Sequence, residues 1–178
     1  MARPDLDAWL PDPTVRTYHR RDAAAPSRML WEAAGQVRLA DSRMLGRVIR
    51  WRIPGEPERI TFRDLFATDP FRVLEEGDTY SLSGLVGRIW TLRRDYPRLA
   101  DPQAFRDWRR NGTVRVLFAH WVEAAGPRRS ALVSEVRVGA TDRQARLGVR
   151  LVRPLIAAFD PLISNETLAV AVRRAERS

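Results

Sequence analysis

The chain has 178 residues, 31 of them basic and 22 acidic, for a formal charge of +9, and apolar residues make up 44 % of it. This length fits one domain with a self-sufficient core, the absence of Cys excludes disulfides, thiolate catalysis and Cys-ligated metals, and His19 and His120 alone cannot build a His-rich metal centre. The opening MARPDLDAWLPDP has no apolar leader stretch and no run approaches the ~18 apolar residues of a membrane span, so a cytoplasmic protein without such a span is expected.

Every basic residue is Arg, and the longest basic runs are pairs such as Arg20-Arg21 and Arg109-Arg110. A nucleic-acid-binding module would concentrate its charge on one face and carry a recognisable signature. Neither is present in the sequence, so no specific nucleic acid is expected as a partner.

Residues 1–14, with Pro4, Pro11 and Pro13, read as an N-terminal arm pinned by Trp9 and Leu10, and 15–178 as a single domain. Val15–Asp22 has the β-branched and aromatic content of a strand. Pro26 opens a helix in which Met29, Leu30, Ala33 and Ala34 share a face, stopped by Gly35. Asp41-Ser42 caps a second helix, with Met44, Leu45, Val48 and Ile49 at helical spacing, ending before Pro54-Gly55. A short third helix starts at Thr61. The period then changes from helix to strand. Phe71–Glu76 and Thr79–Trp90 are two strands joined at Gly77, and Tyr80, Leu82, Val86, Arg88 and Trp90 alternate onto one face of the second.

Residues 93–111 are a charged excursion with a helical turn near Gln103–Trp108. Strands follow over 113–124 and 129–140, with their hairpin at Ala125-Gly126-Pro127. On the first of these, Val114, Val116, Phe118, His120 and Val122 share a side. Thr141 or Asp142 then caps a long helix with Leu147, Leu151, Leu155 and Phe159 every fourth residue, opposite Arg146, Arg150 and Arg153. Pro154 should kink it, and Asp160-Pro161 should break it. The order of elements defines an α+β protein.

This layout, with Gly84-Leu-Val-Gly-Arg-Ile-Trp90, Ser134-Glu-Val-Arg-Val138, and Thr141-Asp142 before Arg146, Arg150 and Pro154, resembles the START-like, helix-grip superfamily of polyketide cyclases and lipid-transport proteins (SRPBCC), in an uncharacterised bacterial branch. The resemblance implies a curved antiparallel sheet gripping the long C-terminal helix, with an apolar cavity between them and extra short helices beside it. It also implies binding or carriage of a hydrophobic or amphiphilic molecule, lipid or polyketide-like. The alternatives are a cyclase or dehydratase-type enzyme in the same cavity, or an interaction protein with a filled core. Homo-oligomerisation is left open.

Chemical motifs are sparse. Position 81 is Ser, so Ser83-Gly84 is no nucleophile elbow. Without Lys there is no Walker-type phosphate loop, and no dinucleotide fingerprint occurs. Gly84 and Gly87 read as bulges or sites of close backbone approach. No cofactor, metal ligand or catalytic residue is assigned. The candidate ligand-binding residues are Leu45 and Ile49 as a lid, Tyr80, Leu82 and Phe118 on the sheet, and Leu151 and Leu155 on the helix. Arg88 and His120 are the polar groups for a ligand head. The competing reading of His120 is a core or rim histidine bonded to backbone or water, and that of Arg88 is a structural ion pair or displacement to the rim by a bulge at Gly84–Gly87. Glu135 and Arg137, two apart on one strand face, read as a structural salt-bridge pair or a cross-strand network, and the Arg146/Arg150/Arg153 stripe as a solvated helix face.

Overall fold

The computed structural model describes residues 3–38, 60–91 and 95–177. Its five strands, β1 (Val15–Ala23), β2 (Arg72–Gly77), β3 (Tyr80–Gly87), β4 (Val114–Gly126) and β5 (Arg129–Ala140), form one antiparallel sheet in the order β1-β5-β4-β3-β2. The described helices are α1 (Ser27–Gly35), α2 (Phe62–Ala67), α3 (Pro102–Arg106) and α4 (Arg143–Ala175). The second helix expected around Met44–Ile53 lies outside the described residues.

Capping chemistry sets the helix starts. Thr61 Oγ1 accepts from Asp64 N at 3.1 Å, Asp101 from Ala104 N at 2.8 Å and Asp142 from Ala145 N at 2.7 Å, each satisfying an amide that the first turn leaves unpaired. Between Arg143 and Ala175, α4 is continuous, where the sequence predicts a break at Asp160-Pro161. A proline removes one amide donor and crowds the preceding turn. Both flanks of α4 carry buried residues, and most helical stability in a protein comes from such packing.

The third strand stops three residues short of its expected end at Trp90. Gly87 has φ +138, a conformation open to glycine, and a Cβ there would lie 2.0 Å from the Asp95 carbonyl oxygen. Gly84 is a close approach within the strand, since its Cβ would meet Phe105 at 2.6 Å and Leu74 at 2.9 Å.

Strand alternation gives the sheet two covered faces. One carries Leu82, Val86, Leu117, Ala119, Trp121 and Val133, buried under Leu6, Trp9 and Leu10 of the N-terminal segment and Phe105 of α3. The other faces α1 and α4. There α4 packs at both its ends: Ala145 and Val149 against Val114, Val116 and Val138, and Leu168, Ala171 and Val172 against Val122, Leu132 and Leu30. Among the described residues no helix is long and apolar enough to cross a membrane.

Candidate ligand-binding face

Between those two packed ends several described residues on the helix-facing side of the sheet keep accessible surface. Along β4, Val114 and Val116 are buried, Phe118 and His120 keep accessible surface, and Val122 is buried again. Neighbouring strands repeat this opening at Val136 of β5, at Thr17 and His19 of β1 and at Ser81 of β3, all half-buried. The register ties these residues into rows. His19 pairs with Ser134, Ser134 with His120, His120 with Ser81, and Ser81 with Glu76, a polar row crossing all five strands. The next row is Thr17, Val136, Phe118, Ser83 and Val73.

One end of the opening is aromatic. Phe66 of α2 stands 5.0 Å from Phe71, 5.0 Å from Phe118 and 5.1 Å from the His120 ring, and Phe71 meets Phe118 edge-on at 5.5 Å. Desolvation among these groups pulls the His120 pKa down to about 4, so its imidazole is neutral at pH 7. Thr17 Oγ1 is buried and makes no hydrogen bond to a described residue. At the centre of the face the polar groups therefore include the hydroxyls of Ser134, Ser81 and Thr17 and the neutral imidazole of His120. Glu76, at the end of the row on β2, is engaged by Arg63. Among the described residues no group of His, Cys, Asp or Glu could hold a metal ion.

The structure redistributes the residues expected to line one cavity. Phe118 and His120 face α4. Tyr80 and Leu82 pair with Trp121 and Ala119, which puts both on the opposite face. There Leu82 is fully buried and Tyr80 donates its hydroxyl hydrogen to Glu75 at 2.7 Å, a bond that raises the phenol pKa. Alternation sorted Tyr80, Leu82 and Val86 onto one side of β3 but failed for Arg88 and Trp90 beyond Gly87, and it cannot say which sides of two strands coincide.

Arg88 is not on the ligand face. Gly87 turns the chain, and Arg88 then donates from Nε to the Gly112 carbonyl at 3.1 Å and pairs with Asp95 at 3.6 Å, with its side chain 42 % exposed. It closes a loop at the rim of the sheet. Leu151 is likewise displaced, being 82 % exposed on the outside of α4. The inward positions of that turn belong to Ala145, Gly148 and Val149, because Trp90 packs where a Gly148 side chain would be, 2.5 Å from its Cβ position. Leu45, Ile49 and the side chain of Leu155 lie outside the described residues.

Sequence reasoning missed His19, Ser134, Ser81, Thr17, Phe66 and Phe71 as members of this face. No local signal marks them. They converge only when strands distant in sequence are placed in register.

No protein-family model matches the chain, and no curated protein matches it. Solved structures with a similar chain course include the Zhui aromatase/cyclase from Streptomyces sp. R1128, 16 % identical over 90 % of this chain and 94 % of that one, with a TM-score of 0.35. A hypothetical protein from Helicobacter pylori is 8 % identical over 96 % of both chains, with a TM-score of 0.43. Norcoclaurine synthase from Thalictrum flavum is 10 % identical over 89 % of this chain and 87 % of that one, with a TM-score of 0.35. Likenesses at this level assign no family and no activity.

Proposed function

We propose that the protein binds a small, uncharged, largely apolar molecule between the helix-facing side of its sheet and α4, in the manner of a helix-grip carrier. The observation that carries this reading is the opening at Phe118 and His120 between buried Val116 and Val122. A packed core closes such gaps, since interiors reach the density of organic crystals. An aromatic wall beside a row of hydroxyl and imidazole groups is the composition of a small-molecule site, with apolar area for affinity and a few polar groups for orientation. The uncharged centre disfavours a free carboxylate or phosphate as the buried part of the ligand, because nothing described there would neutralise it.

Carriage is favoured over proton-transfer catalysis at the same face. A general base works best with a pKa near the operating pH, and His120 at about 4 is far below it. Its suitable role is hydrogen bonding to a ligand carbonyl or hydroxyl.

Native mass spectrometry of the purified protein tests the proposal. A bound apolar metabolite is expected in the wild type and in Tyr80→Phe, which alters the opposite face. It should be lost in Val136→Trp, which fills the opening. Retention in Val136→Trp, or no bound molecule together with no uptake of an apolar fluorescent probe, would overturn the reading.

A further inference from the structure

The outer face of α4 over residues 143–153 is unlike an ordinary solvated helix surface. Leu147 is 60 % and Leu151 82 % exposed, one helical turn apart and stacked on one side. Beside them Arg143, Arg146, Arg150 and Arg153 are all exposed, and none forms an ion pair with a described residue. This stretch contains four arginines and no acidic residue. The nearest carboxylate, Asp142, is held at the helix cap by the amides of Ala145 and Gly112, each at 2.7 Å. With about 100° per residue, the arginines occupy the centre and one flank of the outer face and the two leucines the other flank. Elsewhere in the molecule arginines pair readily, as Arg20 does with Asp22 and Glu123, and Arg98 with Asp69.

We infer that this face docks on an anionic phospholipid surface. Charge complementarity selects a negative partner, and the leucines select among negative partners. A nucleic-acid backbone would attract the arginines but offers no apolar medium for Leu147 and Leu151. At a lipid interface the guanidinium groups meet phosphates while the leucines enter the acyl boundary, the division of labour of a surface-lying amphipathic helix. Each arginine near such a surface raises partitioning about fivefold. The proposal is independent of the ligand-binding reading, and a filled sheet–helix interface would leave it standing.

Flotation of the full chain with vesicles tests it, using phosphatidylcholine alone and phosphatidylcholine with roughly a third phosphatidylglycerol. Binding is expected to the anionic vesicles only, and to weaken as salt is added. Arg146→Gln with Arg150→Gln should lower partitioning about 25-fold. Leu147→Ser with Leu151→Ser should lower it several-fold while leaving its salt dependence intact. All four positions are exposed, so unchanged thermal melting certifies that the variants are folded. No binding to anionic vesicles, equal binding to neutral ones, or binding indifferent to either pair would overturn the proposal. So would retention of a DNA duplex that is lost in the arginine pair but unchanged in the leucine pair, if vesicle binding is absent.

Discussion

A carboxylate with no exposed side-chain surface needs partners, and Glu135 has three guanidinium groups around it: Arg137 at 2.6 Å, Arg16 at 2.8 Å and Arg3 at 3.5 Å. Arg137 in turn binds Asp7 and the Leu10 carbonyl, so one buried charge pair fastens the N-terminal segment to β5. The hydrogen bond from Arg137 holds the Asp7 carboxyl below its usual pKa. Glu135→Gln leaves Arg137 with half its neutralisation and should cost ~3–5 kcal/mol in urea denaturation, the range for breaking a buried pair. Arg16→Gln removes a partner whose side chain is 49 % exposed and should cost no more than ~1 kcal/mol. Equal losses for the two would show that Glu135 is not the hub. His120 makes a second prediction. Its folded pKa is about 4 against ~6.5 when unfolded, so between those values only the unfolded chain takes up the proton. Stability should therefore rise with pH from about 4 to ~6.5, by at most ~3 kcal/mol, and be level above. His120→Gln should flatten that slope in a pH series of thermal melts.

At the scale of elements, α4 shows how small residues can outrank large ones. Helical periodicity of the big apolar side chains selects Leu147 and Leu151 as the buried stripe, yet both are exposed. Trp90 packs directly on Gly148, and Ala145 beside it is fully buried, where there is little or no side chain to hold neighbours off. Leu151→Ala should accordingly change stability by less than ~0.5 kcal/mol. By contrast Leu168→Ala, in the buried C-terminal part of the same helix, should cost ~2–5 kcal/mol. Denaturation curves that reversed this order would place α4 in the opposite rotation. On β3, Gly84→Ala drives a methyl group to 2.6 Å from Phe105, so ~1–3 kcal/mol of overpacking is expected. A neutral outcome would mean that α3 is free to shift.

For the whole molecule, the sheet is a middle layer rather than a wall with one wet side. Leu6, Trp9 and Leu10 are nearly inaccessible, Trp9 donates to Glu75 at 2.9 Å and lies 3.9 Å under the Arg106 guanidinium, and Leu10 fills the space left by Gly139. Burying each such side chain stabilises by ~1.5–3 kcal/mol, so together they match much of a domain's ~5–15 kcal/mol margin. Removing residues 1–13 should therefore give a chain without a cooperative thermal transition. A truncated protein that melted within a few degrees of the intact one would show the segment to be an accessory. This covered face also explains why both sides of the sheet carry buried apolar residues, a pattern otherwise typical of buried parallel sheets.

The sequence by itself determined the elements whose signals are local. Alternating β-branched residues placed the strands, Thr61 marked one helix start and Thr141 or Asp142 another, and Gly87 marked a bulge or a close backbone approach. It also paired Glu135 with Arg137, because two residues apart on a strand is a local relation. Only the tertiary structure decided which strand faces coincide. A shift of one residue between β3 and β4 would have put Tyr80 and Leu82 beside Phe118, and no local feature of either strand forbids it. The bend at Gly87 carried Arg88 to the rim, and the packing of Trp90 on Gly148 set the rotation of α4. Each of these outcomes is fixed by contacts between segments far apart in the chain, where burial and steric fit outweigh the periodicity of any one segment.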